Sequence, residues 1–338
     1  MTRPSAADFA AARQRIATRL QPSPLVESAW LSRVLGVSVW LKLETLQPTR
    51  SFKVRGAVNA VERLVSSRAH DAASTAQGRQ PEPLRLVTAS AGNHGAALAW
   101  AASQAGLPCT VVTPASAPRA KRDAISRLGA DLRAIADDYD DAEGRALELA
   151  VEPGRVYVSP YNHPDVIAGA GTIGLEILQQ KPDVGAIVVP LGGGGLLAGI
   201  ALAVEPHRPR VAVAGVEAER SPAFSTSLAA GRIVPIEVGD TLADGLAGNL
   251  EAGSVTFDII RDRAPQVVAL SEADIGAGIV DLVAEERLVA EGAGVMAVAA
   301  IAAGRVPIDR GPVVAIVSGA NIDIGVLATL LGPRAGLA

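Results

Sequence analysis

The sequence has a single cysteine, Cys109, among 338 residues, so no internal disulfide can form and no cysteine-rich metal site can be built. This points to a reducing compartment, and the expected location is the cytoplasm. Charge is also lacking. Lysine and arginine number 31 against 35 acidic residues, a net charge of -4, which gives no general field to attract phosphate backbones or anionic lipid. Neither nucleic acid nor a membrane surface is expected as a partner. The first twenty residues hold no apolar run of the length a secretory signal needs, and read as an amphipathic surface helix. Val184 to Val204 carry no charge and have the length of a membrane span. Pro190 and the four glycines Gly192 to Gly195 interrupt them, so a buried strand, a glycine loop and a helix start are predicted instead.

What is abundant is apolar, 49% of the chain, enough for a large core in one or two domains. Short β-branched runs alternate with alanine-rich stretches of helical character. Leu86–Thr88, Thr110–Val112, Ala186–Val189, Val211–Val216 and Val313–Val317 are predicted as buried strands, giving an α/β fold with a largely parallel sheet. Ser66 to Pro83, rich in polar residues and proline, is predicted as a surface connection. The strand–helix repeats between Arg85 and Val158 predict a small domain of their own, and the rest of the chain predicts a larger one assembled from both ends.

Four segments carry chemistry. In the first, Ser51-Phe52-Lys53-Val54-Arg55-Gly56-Ala57, the apolar spacing of Val54, Ala57, Val58, Val61 and Leu64 begins a helix, with Ser51 as its expected cap. Lys53 then lies in the first turn, where the helix dipole and the nearby Arg50 and Arg55 favour a neutral amine. A neutral amine is what Schiff-base chemistry requires. In the second, Ser90-Ala91-Gly92-Asn93-His94-Gly95 turns from a strand into a helix, and its exposed amides suit a carboxylate or phosphate. In the third, Gly192-Gly193-Gly194-Gly195-Leu196 joins a strand to a helix and brings backbone amides close to a ligand, naturally a phosphate. The fourth, Ser318-Gly319-Ala320-Asn321, ends a strand where ligands collect in parallel sheets. Each has a plainer reading alone: a surface lysine, a capped turn, a glycine turn, a capping serine. Gly193, Gly195 and Ala198 with Glu217 also satisfy a loose dinucleotide fingerprint, which leaves a nicotinamide-dependent oxidoreductase open.

Together, in this order, the segments resemble the fold type II (tryptophan synthase β-like) pyridoxal-phosphate enzymes, in the branch of threonine dehydratases and serine racemase. The resemblance covers about Pro24 to Asn321. It implies two domains, residues 1–68 with 159–338 as the large cofactor-binding one and 69–158 as the small one. Each would be an open, mostly parallel sheet with helices on both faces, with pyridoxal 5'-phosphate in the cleft between them. It implies that Lys53 carries the cofactor and acts in catalysis, that Phe52 packs on the cofactor, and that Asn93 bonds its 3-hydroxyl. Gly192, Gly193, Gly194, Gly195 and Leu196 would hold the phosphate, Ser318 would face the pyridine nitrogen, and Gly245 in Thr241–Gly245 would line the cofactor. Ser90, Ala91, Gly92, Asn93 and His94 would clamp the substrate carboxylate.

The implied activity is dehydration of threonine or serine to a 2-oxo acid and ammonia, with 3-hydroxyaspartate or another β-hydroxy amino acid as the alternative substrate. Racemisation is less expected, because Ala91 stands where eukaryotic serine racemases have a serine. No metal is expected: Glu217 is a weak candidate ligand, but Ala223 replaces the acid the racemase-like pattern has six residues on. The chain ends soon after its last strand, so the regulatory domain of long threonine dehydratases is not expected. A homodimer or homotetramer is.

Overall fold

The structure, a computed structural model, describes residues 2–74, 82–90, 92–117, 119–264, 266–306 and 311–332. The chain begins with α1 (Ala6–Ile16), β1 (Leu25–Glu27), α2 (Ala29–Leu35), β2 (Val39–Leu43) and α3 (Lys53–Ser74). It continues through β3 (Arg85–Ala89), α4 (Asn93–Gln104), β4 (Cys109–Pro114), α5 (Arg119–Arg127), β5 (Asp131–Ala136), α6 (Tyr139–Ala150) and β6 (Arg155–Tyr157). Then come α7 (Pro164–Gln180), β7 (Ala186–Pro190), α8 (Gly195–Val204), β8 (Ala212–Ala218), α9 (Ala223–Ala230) and α10 (Val255–Arg263). The last elements are β9 (Val267–Leu270), α11 (Glu272–Asp281), α12 (Gly292–Ala302), β10 (Val313–Val317) and α13 (Ile324–Leu331).

Two sheets result. One has the order β1-β2-β10-β7-β8-β9 and is parallel apart from the edge strand β1; the other, β5-β4-β3-β6, is parallel throughout. Period-two geometry divides β10 between the faces of the larger sheet. Val313, Ala315 and Val317 pack with Leu31, Ile279, Val295 and Val298 under α2, α11 and α12, while Val314 and Ile316 pack with Ile167, Ile173, Leu197 and Ile260 under α7, α8 and α10. Coverage on both faces explains why this strand is apolar without alternation. Over the second sheet, Val54, Ala57, Val58 and Val61 of α3 meet Leu98 and Ala101 of α4 and Leu86 and Val111 of β3 and β4. That is the apolar face predicted for the helix after Lys53.

Two expectations need correction. Residues 66–74 continue α3 rather than forming a connection, since polar side chains such as Ser66 and Ser67 are simply exposed on the helix; residues 75–81 lie outside the described ones. Ser51 does not cap α3: its buried hydroxyl has no partner, and its backbone bridges to Gly319. The charge-free stretch splits into β7, the glycine loop and α8 as predicted, and among the described residues no helix is long and apolar enough to cross a membrane.

Candidate active site

The carboxyl ends of β3, β7 and β10 open onto one cavity of about 200 Å³. Phe52, Lys53, Ser90, Gly92, Asn93, His94, Gly192 to Gly195, Leu196, Gly245 and Ser318 all line it. Ala91 lies outside the described residues. A larger, more open groove of about 650 Å³ beside α1 and α7 contains none of the predicted residues.

Lys53 is the first residue of α3, and its Nζ donates a 2.8 Å hydrogen bond to the Pro160 carbonyl while lying 5.3 Å from the Phe52 ring centre. Burial alone pulls the amine down from 10.5 to about 8. Neither Arg50 nor Arg55 adds to this, contrary to expectation. Arg55 turns away into the core, where Glu44 accepts from its Nε at 2.7 Å and Glu176 from its Nη1 at 2.6 Å.

Only glycine fits the loop after β7. A Cβ on Gly192 would meet Leu246 Cα at 2.9 Å, and one on Gly193 would meet the Tyr161 ring at 2.4 Å. Gly194 has φ +85° and caps α8, so the loop delivers its amides to a helix N-terminus, a ready anion site. On the opposite wall the Ser318 hydroxyl makes only a long 3.4 Å contact to the Ala293 carbonyl, leaving it able to serve a ligand atom.

Asn93 begins α4 and is held on both sides. Its Nδ2 donates to Glu291 Oε1 at 2.5 Å, and its Oδ1 accepts from Asn321 Nδ2 at 2.6 Å. One amide N–H remains for a ligand. Burial raises the Glu291 carboxyl above its ordinary range, opposed by the Asn93 bond and the Lys121 charge. His94 places Nε2 3.1 Å from the Val158 carbonyl; a carbonyl only accepts, so this nitrogen carries the proton. Its Nδ1 is buried without a partner, and burial, then the Lys53 charge, holds the ring neutral with a pKa of about 3.

The polar lining residues Lys121, Tyr139, Tyr161 and Glu291 are among those that were not predicted. Lys121 of α5 pairs with Asp244, joining the two sides of the cavity mouth. Glu217 lies elsewhere. Its two oxygens accept the N–H groups of Phe224 and Ser225 at 3.0 Å each, at the start of α9.

The model of pyridoxal-phosphate-dependent enzymes matches residues 16–319. The chain belongs to that family. Members that resemble it include an L-threonine ammonia-lyase of Geobacter sulfurreducens, 39% identical over 94% of this chain and 75% of the relative. A threonine deaminase of T.th. superposes with a TM-score of 0.82 at 34% identity, over 95% of this chain and 99% of that one. Maize serine racemase superposes with a TM-score of 0.86 at 28% identity, over 97% of both. Membership in this pyridoxal-phosphate family displaces the nicotinamide reading of the glycine loop. The cavity suits the family's cofactor: an amine that is easily neutral, a loop of amides crowded enough to exclude any Cβ, and a spare hydroxyl and amide on the facing wall.

Proposed function

We propose that this enzyme dehydrates a small β-hydroxy amino acid, L-threonine or L-serine, to a 2-oxo acid and ammonia. The observation that carries the reading is Lys53 Nζ, desolvated and facing the same cavity as the glycine loop and the Ser90–His94 turn. Relatives named L-threonine ammonia-lyase or threonine deaminase support the choice of substrate.

Lys53 would hold the cofactor through its Nζ, Gly192 to Leu196 its phosphate, Asn93 and Ser318 its ring, with Phe52 and Gly245 beside it. When bound, the cofactor supplies an electron sink that acidifies the α-hydrogen of an attached amino acid. The substrate carboxylate would sit on the amides that open α4, which lack partners within the helix. As a free amine, Lys53 Nζ would take the α-proton of the substrate, a role that a pKa near 8 allows at neutral pH. The Pro160 carbonyl accepts from Nζ and fixes its position. The β-hydroxyl then leaves with a proton as water, and water returns as the carbon–nitrogen bond is hydrolysed to ammonia. Ser318 would offer the ring nitrogen a hydroxyl in place of an acid, so the bound cofactor would supply a more moderate electron sink, suited to loss of a β-hydroxyl.

The same reading treats residues 1–68 with 159–338 as one domain and 69–158 as the other. It is supported by the four-stranded sheet, whose strands all fall between Arg85 and Tyr157. It further places the enzyme in the cytoplasm as a homodimer or homotetramer, without a metal. Assay of the purified holoenzyme with hydroxy amino acids is expected to yield 2-oxobutanoate from threonine and pyruvate from serine. Absence of 2-oxo acid from every substrate would reject the reading.

A further inference from the structure

The chain has three tyrosines, and Tyr139 lies close to both of the others. Tyr139 and Tyr161 line the cavity, and Tyr157 donates to Glu143 Oε1 at 2.7 Å. The Tyr139 ring packs against Val87, Ala89 and Val112 at the end of the second sheet, beside the proposed carboxylate turn. Among the described residues its hydroxyl makes no hydrogen bond, so this side chain is held by packing and faces the cavity. Burial raises the Tyr139 phenol well above 10, and Glu143, Tyr161 and Glu251 push it the same way. Burial is the larger cause, and the carboxylates of Glu143 and Glu251 add to it.

Cations do not offset this. The described residues lining the cavity include two lysines, Lys53 and Lys121, and the second is already bonded to Asp244. Glu291 and Asp244 also line the cavity, and Glu251 is bound nearby by Ser159 and Asn162 at 3.0 and 2.7 Å. With Lys53 Nζ committed to the cofactor, a second substrate carboxylate would enter a confined space in which the other lining lysine among the described residues, Lys121, is already paired with Asp244, and such burial is costly.

Resting on the reading above, we infer that Tyr139 is the specificity-determining wall of the substrate subsite, which admits a short, uncharged side chain and rejects an acidic one. The 3-hydroxyaspartate alternative is thereby set aside. Tyr139→Phe keeps the wall, while Tyr139→Ala and Tyr139→Leu open or reshape it.

The test is kcat/KM for 2-oxo acid formation from L-serine, L-threonine, 3-hydroxynorvaline and 3-hydroxyaspartate by the holoenzyme and these variants. Threonine and serine are expected to exceed 3-hydroxyaspartate by about 100-fold or more, the scale on which an unmatched buried polar group is rejected. Tyr139→Ala is expected to raise the 3-hydroxynorvaline to threonine ratio about tenfold, because the two differ by one methylene and that is the scale of one methylene in a pocket. Tyr139→Phe should preserve the parent order. If Tyr139→Ala fails to hold cofactor, the same ratio is read from Tyr139→Leu. Comparable rates on 3-hydroxyaspartate and threonine, or a ratio that stays within about twofold of the parent, overturn the inference while leaving the dehydratase reading intact. No product from any substrate overturns both.

Discussion

Lys42 and Lys53 are eleven positions apart, both desolvated, and built for opposite ends. Lys42 is fully buried on β2, where its Nζ donates to Glu176 at 2.6 Å, to the Ser23 carbonyl at 2.7 Å and to Gln180 at 2.8 Å. Burial lowers its pKa, but Glu176 and Glu44 act against that. Lys53 is half-buried and donates to one neutral carbonyl, with no carboxylate partner, so burial acts unopposed and its amine falls to about 8. Carboxylate pairing decides which lysine stays a structural cation and which becomes a reactive amine. Arg55 links the two sites, because it lies two residues from Lys53, shares Glu176 with Lys42 and pairs with Glu44 as well.

Breaking the reactive side should have the largest effect. Lys53→Ala is expected to lower turnover by about a thousandfold or more, since the group that abstracts the proton is gone. Circular dichroism should show a retained fold. Dehydration at the parent rate by this variant would remove Lys53 from catalysis.

Breaking the structural side should cost stability instead. Arg55→Met leaves Glu44 fully buried without its main partner, and a loss of about 3–5 kcal/mol is expected from urea unfolding of the apoprotein. A loss under about 1 kcal/mol would mean that the network relaxes or is hydrated.

The smallest effect, and the one that sharpens the contrast most, is in pH dependence. Below about pH 8 Lys53 is protonated, and above it the amine is free. The rate of its acylation in the apoprotein should therefore be half-maximal near pH 8, while Lys42 stays unmodified. Linkage gives the matching sign in stability. An unfolded Lys53 binds its proton up to about pH 10.5, so this residue disfavours the apo fold below pH 8 and ceases to do so as pH rises from 8 to 10.5. Lys53→Met should accordingly raise the apo Tm at pH 7 and change it little at pH 10.5.

The same contrast explains what could be read from the sequence. Lys53, the glycine loop, the turn at Ser90 to His94 and Ser318 were legible as residues of one cavity because each sits in a short motif at a helix start or a strand end, where local spacing carries the information. Val313–Val317 was found to the residue because an all-apolar run bounded by proline and serine has few other readings. β2 was passed over: Val39–Leu43 contains Lys42, and nothing local reveals that Glu176, more than a hundred residues on, will neutralise it. Tyr139, Lys121 and Glu291 were missed for the same reason, since they reach the cavity only when separate elements converge on it. The role given to Arg50 and Arg55 failed because nearness in sequence does not fix direction, and Arg55 points into the core.

Borohydride reduction of the holoprotein, followed by peptide mapping, tests the central claim most directly, because it fixes the lysine–cofactor linkage as a stable tag. The tag is expected on the peptide containing Lys53 and nowhere else. A tag on Lys42 or Lys121, or an unmodified Lys53, would contradict the account.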